Sequence, residues 1–128
     1  MARRSPKLAP TAVIESGLAA VRVVVSLRRM EHHVYFWLKE ENKNPADCAV
    51  FEQGLARLFE IGLVAGGRWA VPAKVVLRPV IDQSWSYALS MQFDTVAEHD
   101  AYQADADHHA FINTFKEWWA KVLVMDLA

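Results

Sequence analysis

The chain has 128 residues, of which 53% are apolar and 23% charged, and its formal net charge is −1. This length accommodates one domain with a modest core, not two. After residue 29 there are 14 acidic and 8 basic side chains, and the absence of a basic stripe argues against nucleic acid as a partner. The single cysteine, Cys48, excludes an intramolecular disulfide, and we expect a cytoplasmic protein.

Residues 1–29 differ in character from the rest, with six basic side chains against one acidic. Their apolar stretch is interrupted by Arg22 and is too short to span a membrane. A targeting peptide would have small residues where Arg28 and Arg29 stand. We therefore interpret residues 1–29 as an N-terminal extension, either lying upstream of a natural start at Met30 or forming a disordered or weakly helical tail. Residues 30–128 are interpreted as the domain, with no membrane partner.

The first elements of the domain are a strand and a helix. Residues 32–38 are β-branched and aromatic, which predicts a strand that is apolar on both faces. Asn44 and Pro45 then provide an N-cap and a first helical residue. The spacing of the apolar residues that follow predicts an amphipathic helix that ends near Gly62.

Two more strands are predicted in the middle of the chain. Residues 63–71 read as the second strand, and residues 72–84 as a loop in which Val75–Leu77 pairs briefly. Residues 85–93 alternate bulky with small or polar side chains, which predicts a third strand with one buried face.

The last third of the domain is predicted to contain helices and a closing strand. Thr95 and Glu98 match a capping box, so a helix begins near Val96 and runs to Ala104. A second helical stretch covers residues 107–120 and presents aromatic residues along one side, including Trp118 and Trp119. Residues 121–126 form the last strand.

The resulting order is β-α-β-β-α-β, which is typical of a ferredoxin-like α+β protomer with an antiparallel sheet covered on one face by helices. The other sheet face would lie bare in a monomer. Because the first strand is apolar on both faces, a second copy of the sheet is its natural cover, and we expect a homodimer.

The domain resembles the stress-responsive α/β-barrel (Dabb) family over about residues 30–127. The resemblance is carried by His32-His33-Val34 with Lys39, by Trp85–Leu89 with Phe93, by Tyr102 with residues 105–111, and by Val124-Met125-Asp126. It implies a ferredoxin-like protomer whose sheet pairs with a second copy to form a barrel around a cavity.

The resemblance also implies candidate site residues. Some similar plant members cyclise linear polyketides through an aldol-type step that uses a tyrosine and a histidine. Tyr102 matches that tyrosine, His108 matches that histidine, and His32 matches a histidine that lines the cavity. The family pattern commonly has histidine and proline where Asp105 and Ala106 stand here.

Each candidate residue has a chemical role and a structural alternative. His108 would take a proton from a carbon beside a carbonyl, with Asp105 or Asp107 orienting its ring; alternatively it packs at a helix start. Tyr102 would donate a hydrogen bond to the developing enolate oxygen; alternatively it is a buried aromatic on a helix face.

His32 and His33 are adjacent on a strand, so one faces the cavity and the other faces the helices. The resemblance favours His32 as the residue that faces the cavity, with Val34 and Phe36 on the same face as further substrate-binding residues.

The sequence predicts no metal site and no cofactor. His99, His108 and His109 lack the i, i+4 spacing that places two ligands on one helix face. A divalent ion near Asp105 and Asp107 remains an open alternative, and Cys48 is interpreted as a core residue.

Two functions from different classes are compatible with this pattern. The first is a homodimeric barrel that binds a small, partly apolar molecule in its cavity, with proton-transfer chemistry of the lyase or polyketide-cyclase type. The second is a non-catalytic stress-response or structural homodimer whose cavity is filled.

Overall fold

A computed structural model describes residues 29–128 with their side chains, and residues 11–16 and 21–26 as backbone. The elements in chain order are β1 (Thr11–Ser16), β2 (Val21–Ser26), β3 (Met30–Leu38), α1 (Pro45–Leu58), β4 (Gly66–Ala70), β5 (Tyr87–Phe93), α2 (Val96–Gln103), α3 (Ala106–Phe115) and β6 (Trp119–Leu127). From β3 onward this is the predicted β-α-β-β-α-β order, with the second helix divided into α2 and α3.

Strands β3 to β6 form one antiparallel sheet in the order β4-β5-β3-β6. Val34 of the central strand β3 lies opposite Leu89 of β5 on one side and Val124 of β6 on the other. One face of the sheet packs against the helices, as shown by the contacts of Phe36 with Phe51 of α1 and Phe111 of α3. The prediction of a ferredoxin-like α+β fold is confirmed.

Strands β1 and β2 pair antiparallel in a separate two-stranded sheet. They occupy the segment for which the sequence suggested a disordered or weakly helical tail. The interpretation of residues 1–29 as an extension outside the domain stays a prediction.

The core lies between the sheet and the helices. Alternate residues of β3 are buried from Met30 to Leu38, and β5 alternates in the same way. Phe36, Phe51, Phe111 and Phe115 form a connected aromatic cluster with ring centroids 5.1–6.1 Å apart. Each such ring contributes about 1.5–3 kcal/mol through burial alone, so this cluster fixes α1 and α3 on the sheet.

The predicted helix starts are confirmed. The side chain of Asn44 accepts a hydrogen bond from the backbone N–H of Asp47 at 2.9 Å, and Pro45 is the first residue of α1. The hydroxyl of Thr95 accepts from the N–H of Glu98 at 3.1 Å at the start of α2. Both caps satisfy backbone donors that lack partners within the helix.

The strands in the middle of the chain differ from the prediction. The second strand is limited to β4, and within the described residues 71–86 there is no strand, so the pairing of Val75–Leu77 was wrong. Pro72 has no N–H to donate to a ladder and ends the strand there. The third strand begins at Tyr87 instead of Trp85.

The helix predicted over residues 107–120 ends at Phe115, and a 3₁₀ turn over residues 116–118 follows. Trp119 then begins β6 and pairs with Leu38. Its ring packs on Phe36 and Phe111 at centroid distances of 5.3 and 5.9 Å. Strand pairing with β3 therefore prevails over the helical spacing of the aromatic residues.

A search of the described residues found no helix with the length and apolar character needed to cross a membrane.

Candidate ligand-binding site

A cavity of about 360 Å³ lies between the helix-facing side of the sheet and the helices α2 and α3. His32, Val34 and Phe36 line it from β3, as the sequence predicted for the cavity-facing side of the strand. These residues face the helices, whereas the sequence led us to expect the cavity and the helices on opposite faces of the sheet; His33 lies on the other face. The cavity is lined by residues of a single chain.

Tyr102 and His108 also line this cavity. Tyr102 lies in the last turn of α2 and His108 in the first turn of α3, and their ring centroids are 4.5 Å apart. Tyr102 is 1% exposed. Across residues 29–128, no protein group hydrogen bonds its hydroxyl, so this donor is free to serve a bound molecule.

The tautomer of His108 follows from its hydrogen bond. Nδ1 lies 3.2 Å from the backbone carbonyl oxygen of Gln103, which can only accept, so Nδ1 carries the proton. Burial lowers the pKa of His108, which leaves the ring neutral near pH 7 with a lone pair on Nε2. A neutral imidazole in this state can act as a base.

The group that orients His108 is not the one expected. Asp105 and Asp107 were the predicted candidates, but the carboxylate of Asp105 accepts from the N–H of Asp107 at 2.8 Å and caps α3. The ring of His108 is instead held by the carbonyl of Gln103.

The hydroxyl of Tyr102 stays protonated at neutral pH. Burial raises the pKa of Tyr102, and the nearby negative charge of Asp105 raises it further. Tyr102 can therefore donate a hydrogen bond, which is what an oxygen with developing negative charge requires.

His32 is 4% exposed and contacts both a carboxylate and an aromatic ring. Its Nδ1 lies 2.5 Å from Oδ1 of Asp126 on the neighbouring strand, and its ring centroid is 6.1 Å from that of Tyr102. Burial lowers the pKa of His32, and the hydrogen bond to Asp126 opposes that effect. The hydrogen bond fixes the orientation of the ring.

Sequence reasoning missed two residues of this site, His99 and Asp126. The ring of His99 lies 4.9 Å from that of His32, and its Nε2 lies 3.8 Å from Oδ1 of Asp126. Asp126 is 94 residues from His32 in the chain but stands directly opposite it in the sheet. The register in which β3 and β6 pair is the signal that would have identified Asp126.

A second groove, of about 520 Å³, lies between α1 and α3. Its lining includes the charged residues Arg57, Glu60 and Asp107 but none of His32, Tyr102 and His108. Cys48 lies on the sheet-facing side of α1, half-buried against the core.

These residues build a ferredoxin-like α+β domain whose candidate site is lined by one chain. The model of the stress-responsive A/B barrel domain family matches residues 30–128. The chain belongs to this family, as the sequence resemblance indicated. No curated protein sequence matches the chain significantly.

Solved structures share the fold at low sequence identity. A protein from Arabidopsis thaliana is 20% identical, with a TM-score of 0.67 over 77% of this chain and 93% of that one. A dimeric ferredoxin-like protein of unknown function from Thermobifida fusca is 17% identical, with a TM-score of 0.64 over 78% and 90%. A hydroxynitrile lyase from Passiflora edulis is 15% identical, with a TM-score of 0.64 over 79% and 93%.

Proposed function

We propose that this domain binds a small, partly apolar carbonyl compound in the 360 Å³ cavity and transfers a proton at the carbon next to the carbonyl. The observation that carries the proposal is the pair formed by Tyr102 and His108, whose rings lie 4.5 Å apart and line the same cavity. Tyr102 supplies a free hydrogen-bond donor, and His108 supplies a free lone pair on Nε2.

The residues that line the cavity indicate the chemical class of the ligand. Apolar side chains from the sheet and α3, including Val34, Leu89 and Phe111, form most of the lining, and a few polar groups converge at one end. A site of this composition binds an apolar body and orients one polar group of the ligand. A ketone or aldehyde with an aromatic or alkyl substituent fits this description.

The proposed step is a proton transfer that conserves charge and atoms. The carbonyl oxygen of the ligand accepts a hydrogen bond from the hydroxyl of Tyr102. Nε2 of His108 takes a proton from the adjacent carbon, and the electron pair of that C–H bond moves to form the enolate. The enolate then regains the proton from His108, or it adds to an electrophilic carbonyl carbon and His108 gives its proton to the alkoxide that forms. Either outcome returns His108 to its neutral form. His32 is the positioning group on the opposite wall.

The family is compatible with this class of chemistry. A hydroxynitrile lyase shares the fold, so a lyase can be built on this scaffold; at 15% identity the likeness extends to the fold alone. The mode proposed for this chain is that of a lyase or polyketide cyclase.

The alternative is a non-catalytic stress-response or structural homodimer. The deep burial of Tyr102 supports it, because an aromatic ring this enclosed also serves as packing. The two functions differ in whether removing only the polar atoms of Tyr102 and His108 changes a measurable reaction.

We also propose that the domain forms a homodimer through the sheet face that carries Tyr35 and Met125, and the description of the Thermobifida fusca structure as dimeric supports this. A cytoplasmic location and the absence of a nucleic-acid partner remain predictions from composition.

The test uses acetophenone as the probe, because it combines an aromatic body with a carbonyl and exchanges its methyl protons slowly in neutral water. Full-length protein is incubated with acetophenone in D₂O, and the loss of the methyl signal is followed by ¹H NMR. We expect exchange to be faster than in buffer by about 10²-fold or more, the contribution typical of a positioned general base.

His108→Gln should abolish this acceleration and Tyr102→Phe should reduce it, whereas Asn113→Ala, on the exposed side of α3, should leave it unchanged. Binding of acetophenone without accelerated exchange would reduce the proposal to a binding protein. Neither binding nor exchange would favour the structural alternative.

A further inference from the structure

His32, His99 and Asp126 bring three ligand atoms to one place from three different elements, β3, α2 and β6. One nitrogen of each histidine and one carboxylate oxygen all lie within 4.8 Å of one another. In the part of the chain with described side chains, this is the one cluster of histidine, cysteine and acidic residues with such spacing. All three residues line the cavity.

The hydrogen bonds of His99 determine where its lone pair points. Its Nδ1 lies 3.1 Å from a carboxylate oxygen of Asp100, which can only accept, so Nδ1 carries the proton. Its Nε2 is therefore unprotonated in the neutral ring, and it accepts from the side-chain amide of Gln103 at 3.3 Å. The same nitrogen lies 3.8 Å from Oδ1 of Asp126.

Nε2 of His99 and Oδ1 of Asp126 lie 3.8 Å apart, and each accepts a hydrogen bond, from Gln103 and His32 respectively. A cation between the two atoms would replace these hydrogen bonds with two metal–ligand bonds. The Asp100–His99 hydrogen bond also matches the carboxylate–histidine–metal arrangement, in which the outer carboxylate fixes the tautomer and strengthens the ligand.

We propose that His32, His99 and Asp126 form a binding site for a divalent transition-metal ion of the zinc class. Two imidazoles and one carboxylate suit Zn²⁺ or Co²⁺, whereas Mg²⁺ and Ca²⁺ prefer sites made of oxygen ligands. Three protein ligands leave at least one coordination position, which would face the cavity. This inference does not rest on the proposed proton transfer by His108.

Binding requires two local rearrangements. The side-chain amide of Gln103, which donates to Nε2 of His99 at 3.3 Å, must release that nitrogen, and His32 must release Asp126. The hydrogen bond between Nδ1 of His32 and Oδ1 of Asp126, at 2.5 Å, occupies both atoms. For His32 to bind through Nδ1, the proton on that nitrogen must move to Nε2, and the two ligand atoms must separate to admit the ion. Access is available from one side, because the side chain of Asp126 is 41% exposed at the edge strand β6.

The experiment is a titration of the full-length protein with Co²⁺ after treatment with EDTA and removal of the chelator. Visible absorption reports coordination by protein ligands, and subsequent Zn²⁺ addition should displace the Co²⁺ and abolish the bands. We expect one ion per chain, and no displacement by an excess of Mg²⁺.

Two variants test the assignment, His99→Gln and Asp126→Asn, chosen because both side chains are partly exposed and their replacement leaves the core intact. Loss of an outer-shell partner weakens metal binding about 10- to 100-fold. Each of these variants removes a direct ligand and should therefore weaken Co²⁺ binding by at least that factor. His109→Gln is the matched control and should bind as the wild type does. Far-UV circular dichroism verifies that every variant is folded.

Two results would overturn the proposal. One is the absence of stoichiometric Co²⁺ binding; the other is binding that persists unchanged in both variants, which would place the ion elsewhere on the chain. In either case the cluster is a hydrogen-bonded network that orients His32. His108→Gln separates this proposal from the preceding one, because it should abolish acetophenone exchange and leave Co²⁺ binding intact.

Discussion

The rings of Tyr102 and His108 lie 4.5 Å apart although they belong to different helices. The turn between α2 and α3 brings the two rings into contact. The N–H of Asp105 donates to the carbonyl of Tyr102 at 3.0 Å, and the carboxylate of Asp105 caps α3. The turn therefore holds the pair together without the histidine and proline that commonly occupy positions 105 and 106 in the family.

Replacing Tyr102 with phenylalanine should leave the stability of the protein nearly unchanged. The hydroxyl has no hydrogen-bond partner on described residues, so its removal breaks no bond within that part of the chain. We expect a change in the free energy of unfolding below about 1 kcal/mol, against about 3–5 kcal/mol for Tyr102→Ala, which also leaves a cavity. Urea denaturation measures both. A loss above 2 kcal/mol for Tyr102→Phe would assign the hydroxyl a structural role.

The stability of the protein should fall as the pH decreases below about 6.5, the ordinary pKa of histidine. The pKa of His108 is lowered in the folded state, so in this range the unfolded chain binds a proton that the folded chain does not. His32 acts in the same direction because its pKa is also lowered. Each group contributes a slope of at most about 1.4 kcal/mol per pH unit.

His108→Gln should make this pH dependence shallower while the contribution of His32 remains. Urea denaturation at pH 7.5 and 5.5, in the presence of EDTA, measures the difference for the wild type and the variant. An equal slope in both proteins would mean that His108 titrates alike in the folded and unfolded chains.

Gly54 should not tolerate alanine. A Cβ built on Gly54 of α1 would lie 2.8 Å from Cζ of Phe115, whose ring fills the space beside the glycine. Overpacking of this kind costs about 1–3 kcal/mol. The upper end of this cost exceeds the gain in helix propensity of about 1 kcal/mol that replacing glycine with alanine provides. The matched control is Gly62→Ala, because nothing lies within 4 Å of that Cβ. Thermal denaturation should rank Gly54→Ala below Gly62→Ala; equal stabilities would show that the ring of Phe115 moves aside freely.

A charge on the outer face of the sheet should dissociate the proposed homodimer. Met125 is 51% exposed on β6 and stands opposite His33, on the face that the helices leave uncovered. Met125→Glu would bury a carboxylate in a sheet-to-sheet contact, so sedimentation velocity should show a monomer. Val96→Glu, at a 55% exposed position at the start of α2, is the control and should sediment as the wild type does. Identical sedimentation of both variants would place the interface elsewhere.

The amino-acid sequence alone determined the local features of this protein. The β-branched and aromatic run of β3, the alternation of bulky and small side chains in β5 and the caps at Asn44 and Thr95 all lie in neighbouring residues, so these strands and helix starts were predictable. The family motifs also pointed to Tyr102 and His108, which lie close in the chain.

Only the tertiary structure decided the side of the sheet on which the cavity lies, the end of α3 and the cluster of His32, His99 and Asp126. Alternation shows that two faces differ but not which face the helices cover. The spacing of Phe111, Phe115 and Trp119 favours a helix, yet pairing with β3 draws Trp119 into the sheet. Asp126 meets His32 across 94 residues because β6 pairs with β3. Such long-range pairing depends on how the whole chain packs, which no local pattern records.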